Sequence, residues 1–377
     1  MGLRPGWRLG LLLPVLWLGA CQSLAPGEPG LGRPLAWDAL PGWSSDRQAE
    51  AWPALRHTCT RLAGRNPAWQ ELCAEVRLMG EPDDATARAF FETRFVPYAV
   101  NGDGSREDGL ITGYYEPLLR GHTRKTGRYR YPLYRRPPDL LTVDLSSLYP
   151  ELDGRPVRGR LQGRRVVPYY SRAEIENGQV PLAGLEIAWV DDPVDLFFLH
   201  IQGSGRVRLN DGRELAVGYT DQNGHPYESI GRELIRRGEI KPEDISLHSI
   251  KEWLVTHPDE IETLLNTNPS YIFFDVRDEK LPGPLGSLNV PLTPGRSVAV
   301  DRRYIPLGSP VWLDTTLPQD PPRPYRRLMF AQDTGGAIKG PVRADVFFGR
   351  GDEAEMLAGN MKQQGRLYVL MPVPRLP

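Results

Sequence analysis

The chain is poor in the groups that most hydrolases and binding proteins depend on. Its 377 residues include only three cysteines and six histidines. His57, His122, His200, His225, His248 and His257 form no i, i+4 pair with a glutamate, and no Cys/His cluster has zinc-ligand spacing. That argues against a zinc hydrolase, and no metal or cofactor is expected. A Gly-x-Ser-x-Gly elbow is missing, because Gln202 stands where the QGSGR stretch would need its first glycine. No glycine-rich loop with a phosphate-binding lysine is visible. Positive charge is not in surplus either. Lys and Arg total 46 against 47 Asp and Glu, so no nucleic-acid partner is expected. Long apolar runs are absent too. The longest, Leu11 to Leu18, is too short to span a bilayer.

What is present at the start has an order. Arg4 and Arg8 precede that apolar stretch, and Leu18-Gly19-Ala20-Cys21 closes it with small residues before a cysteine. The pattern resembles a bacterial lipoprotein signal over residues 1–20, with Cys21 carrying the lipid. A plain secretory leader with an incidental cysteine is the alternative. Gln22, a residue other than Asp, points by the same likeness to the outer membrane, with the protein lipid-anchored on its periplasmic face. Residues 21–43, rich in Pro, Gly and Ala, read as a tether. Two cysteines remain, Cys59 and Cys73, on helix-like segments joined by a turn. In an oxidising compartment they can bridge, or they can stay as two buried thiols.

The 37 prolines and 39 glycines favour short strands and turns over long helices. Residues 52–98 nevertheless carry helical apolar spacing. From about Leu110 the texture changes to short β-branched and aromatic runs bounded by Gly, Pro and Asp, such as LITGYYEPLL and VDLFFLHIQGSGRVRL. Helical patterns return near ESIGRELIRRG and SLHSIKEWLVTHPDEIETLLNTNP, and strands resume at SYIFFDV. The expectation is a mainly β protein with flanking helices, built as two barrels with a cleft between them for an extended substrate.

Acids are the remaining candidates for chemistry. Asp301, Asp333 and Asp345 each lie among apolar residues at strand spacing. Such a carboxyl loses hydration, which raises its pKa and lets it donate a proton at neutral pH. Capping a turn is the bland alternative for any one of them. Asp333-Thr334-Gly335 matches half of an aspartic protease, but no second motif exists. A two-carboxylate glycosidase is the stronger rival. Tyr114, Tyr115, Trp189, Gln202 and Ser204 could supply flat faces and hydrogen bonds to a sugar, although such aromatics fill barrel cores as often.

Taken together, ITGYYEP, AWVDDPVDLFFLHIQGSGR, SYIFFDV, VPLTPGRSVAVDRRYIPLGSPVWL, AQDTGGAIKGPVRADVFFGRGDEAEMLAG and GRLYVL resemble the membrane-bound lytic murein transglycosylase A family from about residue 50 to residue 371. The resemblance implies a double-psi β-barrel built from both ends of the chain, residues 44–117 and 246–377, with a second β-barrel, residues 118–245, inserted between them. It implies cleavage of the β-1,4 bond between N-acetylmuramic acid and N-acetylglucosamine with a 1,6-anhydro end; a non-catalytic peptidoglycan-binding lipoprotein and a water-using muramidase are the alternatives. The three aspartates that name the C-terminal segment match Asp301, Asp333 and Asp345. Asp345 matches the single catalytic acid/base and Asp333 its partner. Thr112, Tyr114, Tyr115, Gln202, Ser204, Gly205, Asp301 and Lys339 are the expected substrate contacts. Peptidoglycan glycan strands are the expected partner, cell-wall synthesis or scaffold proteins further candidates, and a monomer the default state.

Overall fold

A computed structural model describes residues 29–373, apart from 66 and 153–156. Cys21 and the leader therefore lie outside the described residues. The larger sheet has eight strands, in the order Gly30–Pro34, Phe95–Asn101, Lys362–Pro372, Pro310–Leu317, Arg323–Asp333, Ser297–Val300, Ala344–Arg350 and Gly109–Glu116. Gly109–Glu116 also pairs with Lys362–Pro372, so six of these strands close into a barrel. Two of its pairings are parallel and cross between distant segments, Ser297–Val300 on Arg323–Asp333 and Ala344–Arg350 on Gly109–Glu116. The barrel is thus built from both ends of the chain, as a double-psi arrangement requires.

The second sheet runs Ile272–Arg277, Glu214–Gln222, Ser204–Leu209, Leu118–His122, Glu186–Val190 and Tyr131–Tyr134. A bridge between Arg135 and Phe274 brings its two edges together. Its interior holds Leu119, Leu133, Ala188, Val207 and Val217, alternate residues on successive strands. The chain enters this unit at Leu118 and leaves only after Arg277, beyond the boundary at 245 expected from sequence. The helices Leu247–Thr256 and Ile261–Leu265 belong to it, because Trp253, Leu254 and Leu264 pack on Phe197 and Phe198 of the helix Pro193–Gln202. The strand Ile272–Arg277 then completes its sheet.

A second correction concerns the tether. Gly30–Pro34 pairs with Phe95–Asn101, and Leu40 and Trp43 are buried. The Pro/Gly-rich composition concealed two ring contacts and a hydrogen bond that anchor it: Trp43 meets Trp312 edge-on at 5.1 Å and Trp37 at 4.7 Å, and its Nε1 donates to Glu92. Next to it, the helices Trp52–Leu62 and Pro67–Met79 form a hairpin closed by the Cys59–Cys73 disulfide, Cα–Cα 5.4 Å. Their apolar faces, with Phe90, Phe91 and Phe95, cover Trp312 and Phe330 of the barrel.

One ion pair fixes this cap to the barrel. Arg296 is 2% exposed; its two Nη atoms donate to both oxygens of Asp46, at 2.7 and 2.9 Å, and to Glu50 at 2.8 Å. Asp46 also accepts from the Leu328 amide. A guanidinium so buried is tolerable only while its fork is filled. Arg296→Ala, which strands Asp46 without its charge partner, is expected to cost about 3–5 kcal/mol in urea unfolding; a loss below about 1 kcal/mol would show the cap to be held by its aromatic contacts alone.

Candidate active site

Four residues lie side by side across four strands. Thr112 pairs in register with Asp345, Asp345 with Ala299, and Ala299 with Asp333. The two carboxylates thus flank the small side chain of Ala299, which lets both face the same cleft. Thr112 comes from a strand far from the other three in the chain, which is why no local pattern places it beside Asp345.

The two acids are held differently. Asp333 Oδ1 accepts from the Ser287 amide, the Ser287 hydroxyl and the Thr334 amide, each at 2.9 Å, and Oδ2 accepts from the Tyr114 hydroxyl at 2.9 Å. Asp345 Oδ1 accepts from the Thr112 hydroxyl at 2.5 Å, its sole side-chain partner among the described residues. Burial raises the pKa of both carboxyls. At Asp333 four donors oppose that rise. At Asp345 Thr112 and the Arg343 charge oppose it, while the Asp333 charge adds to it. More hydrogen bonds therefore oppose the rise at Asp333 than at Asp345.

The surroundings are prepared for this. Gly286 lets the 285–291 loop approach the strand of Asp333, since a Cβ there would lie 2.5 Å from the Gln332 carbonyl oxygen. That approach delivers Ser287. Gln332 is fully buried; its Nε2 donates to Ala54 O and Thr58 Oγ1, and its Oε1 accepts from Ser297. The helical cap therefore braces the strand one residue before Asp333.

A cleft of about 630 Å³ opens over Asp333 and Asp345 between the two barrels. Of the expected contacts, Tyr114, Gln202 and Ser204 line it. Thr112 acts from behind through Asp345. Four others lie elsewhere. Asp301 is bound by Arg303 and the Gly340 amide; burial raises its pKa, but those donors outweigh it and hold it at about 2, so it is a fixed anion bracing the 340 turn. Lys339 is exposed outside the cleft wall. Tyr115 is buried behind the wall, its amide donating to Gln202 Oε1. Gly205 is a packing position where a Cβ would meet Leu199 at 2.4 Å. Trp189 belongs to the insert barrel, where Lys125 lies over its ring. Sequence reasoning missed Ser287, Asn289, Tyr219 and Tyr227, which also line the cleft. The first two sit in a Pro/Gly-rich stretch with no periodicity, and the tyrosines fall outside the motifs that the sequence singles out.

The raised pKa of Asp345 carries a stability consequence. Below its ordinary value, 3.8, the carboxyl is neutral in both folded and unfolded chains. As pH rises from there through the folded-state value, the unfolded chain ionises first and stability falls. Asp345→Asn removes that penalty and keeps an acceptor for Thr112. Its melting temperature at pH 7 is expected to equal or exceed the parent's, with the gap closing toward pH 4; a melting temperature well below the parent's at pH 7 would show that the carboxylate stabilises the fold.

Comparison with known proteins agrees with this architecture. Residues 110–275 match the MltA specific insert domain and residues 296–371 the 3D domain. The chain is 36% identical over 270 residues to the membrane-bound lytic murein transglycosylase A of Escherichia coli K12, covering 70% of this chain and 66%, just under two thirds, of that one. The crystal structure of a membrane-bound lytic murein transglycosylase from Agrobacterium tumefaciens matches with a TM-score of 0.79 at 35% identity, over 91% of this chain and 98% of that one. Escherichia coli MltA with bound chitohexaose matches with a TM-score of 0.70 at 30% identity, over 93% and 96%. With an insert barrel, a three-aspartate barrel and a carboxylate pair at their junction, the chain belongs to the membrane-bound lytic murein transglycosylase A family.

Proposed function

We propose that the protein is a peptidoglycan lytic transglycosylase with one acid/base, Asp345. It cleaves the β-1,4 bond between N-acetylmuramic acid and N-acetylglucosamine and leaves a 1,6-anhydromuramyl end. The observation that carries this reading is the unequal bonding of the two carboxyls. Asp333 has both oxygens committed to four donors, which suits an anion and disfavours a base or nucleophile. Asp345 has an oxygen to spare. Family membership and the chitohexaose seated in the Escherichia coli relative support a β-1,4-linked amino-sugar chain as the occupant of this cleft.

The reaction then balances without water. Protonated Asp345 gives its proton to the glycosidic oxygen as the bond to muramyl C1 breaks, and the N-acetylglucosamine hydroxyl leaves. The muramyl C6 hydroxyl attacks C1, and its proton passes to the Asp345 carboxylate, restoring the starting state. Attack from within one sugar needs no capture of a second molecule. The Asp333 anion keeps Asp345 protonated beforehand and stabilises the positive charge that develops at C1. Gln202, Ser204 and Tyr114 orient the sugars.

We further propose that a lipid on Cys21 anchors the protein to the outer membrane, facing the periplasm. The relatives bear the name membrane-bound, and no helix among the described residues is long and apolar enough to cross a membrane.

Asp345→Asn is expected to lower turnover on purified sacculi by about 10²–10⁴-fold, and mass spectrometry of the parent's products should find anhydromuramyl ends; reducing ends would mean that water is the nucleophile. The pH profile gives an independent check. Because the acid must start protonated, kcat/KM falls as pH rises through the pKa of Asp345. The Thr112 hydroxyl favours the ionised form, so Thr112→Val is expected to move that alkaline limb to higher pH. A limb that moves lower would remove Asp345 from the role of acid.

A further inference from the structure

A second groove, about 650 Å³, lies on the catalytic barrel beside the active-site cleft. The two are neighbours along the chain in two places. Leu292 lines the cleft, while Pro294 and Gly295 line the groove. The strand Ala344–Arg350 starts at Asp345 in the cleft and ends with Phe348 and Arg350 in the groove. A register shift after Phe347, with Gly349 at φ +91°, turns the strand between them.

The lining of this groove is unlike the rest of a chain with net charge −1. Six arginines stand against three acids. Some of these charges are spent internally: Arg296 on Asp46 and Glu50, Arg47 on Glu50, and Arg326 on Asp314. Arg323 has no ion-pair partner among the described residues. Arg327 lies over the Tyr325 ring and only 3.4 Å from Glu50. Arg350 is exposed and feels Glu116 at longer range. On the facing helix Glu353 is exposed and also has no ion-pair partner among the described residues. Tyr325 and Phe348 form an aromatic floor, ring centres 6.0 Å apart. Guanidinium groups beside aromatic faces favour carboxylates, to which they bind with two parallel hydrogen bonds.

Resting on the proposed activity, the substrate is a branched polymer: its muramyl units carry short peptides with several free carboxylates and one free amine. We propose that the groove holds the peptide stem of a glycan strand seated in the cleft, with Arg327 and Arg350 pairing its carboxylates and Glu353 its amine. The reach agrees. Five strand residues separate Asp345 from Arg350, about 17 Å at ~3.3 Å each. An extended four-residue peptide spans about 13–14 Å, and the lactyl ether that joins it to the sugar supplies the difference. A lone amine site opposite several guanidinium groups suits this mixed-charge peptide better than a phosphate surface, which would leave Glu353 opposed.

The test compares the parent with Arg327→Gln/Arg350→Gln on two substrates, peptide-bearing glycan and the same glycan stripped of stems by an amidase. The double variant is expected to lose about tenfold in kcat/KM, through KM, on the peptide-bearing strand and nothing on the stripped one. Equal losses on both, or none on either, would overturn the proposal. Glu353→Gln should repeat the pattern more weakly. Calorimetry with the free stem tetrapeptide keeps the groove testable apart from the activity. If the parent cleaves neither glycan, the functional reading fails, yet tetrapeptide binding that the double variant loses would still support the groove. Absence of tetrapeptide binding to the parent, or loss in the double variant of binding to anionic phospholipid vesicles instead, would sink it.

Discussion

The strand Gly109–Glu116 is the element on which the rest of the molecule depends. Four of the five positions from Thr112 to Glu116 reach different partners. Thr112 holds Asp345, Tyr114 holds Asp333, the Tyr115 amide binds Gln202 of the insert, and Glu116 meets Arg206 of the insert at 3.3 Å. Gly113 makes this possible, since a Cβ there would lie 2.5 Å from the Phe348 ring and 2.9 Å from Ala358 Cα. The helix Asp352–Asn360 can therefore lie directly on the strand. That helix returns the contact through Glu355, which with Asp195 grips Lys251 of the insert. The relative position of the two barrels and the placement of the acids are thus set by one stretch of eight residues.

That coupling explains why the site tolerates two neighbouring acids in a place where burial penalises both. The Asp333 charge adds to the rise at Asp345, so ionising one acid makes ionising the other harder. The difference in how the two are held comes partly from backbone. Two of the donors to Asp333 are amides, from Ser287 and Thr334, and an amide cannot reverse its role as a hydroxyl can. The asymmetry is consequently built into the fold and does not depend on side-chain rotation.

Much of this was legible in the sequence, and the illegible part has a common cause. The carboxyls of Asp333 and Asp345 were visible because polar residues are rare in their strands, and the long ordered motifs carried both barrels. Disulfide formation between Cys59 and Cys73 was readable as one of two outcomes. Asp301 misled because it shares the same apolar strand setting; only the three-dimensional contact with Arg303 and Gly340 separates a braced anion from a cleft acid. Gly205 was drawn in by adjacency to Ser204, though a neighbour in sequence on a strand points the other way, and Lys339 lies in the loop between the strands of the two acids, exposed outside the cleft. Ser287 and the Arg296–Asp46 pair were out of reach because each joins segments far apart in the chain: 46 residues separate Ser287 from Asp333 and 250 separate Asp46 from Arg296. The end of the insert was misplaced for the same reason, since the strand Ile272–Arg277 finds its partner only across four intervening helical segments.

A fold that leaves one carboxyl with a free oxygen constrains the chemistry it can perform. A glycosidase that uses water must activate it, and the second acid that would do so is here consumed in holding the site together. Under the proposed reaction the nucleophile arrives with the substrate, already positioned and needing only a proton acceptor once the leaving group has gone. In that reading Asp345 is the acceptor, because the same desolvation that raises its pKa makes its carboxylate a strong base. One residue would then serve both half-reactions, with Asp333 as an immobile charge beside it. Reading the hydrogen bonds of Asp333 is therefore as informative about the reaction as reading the environment of Asp345 itself.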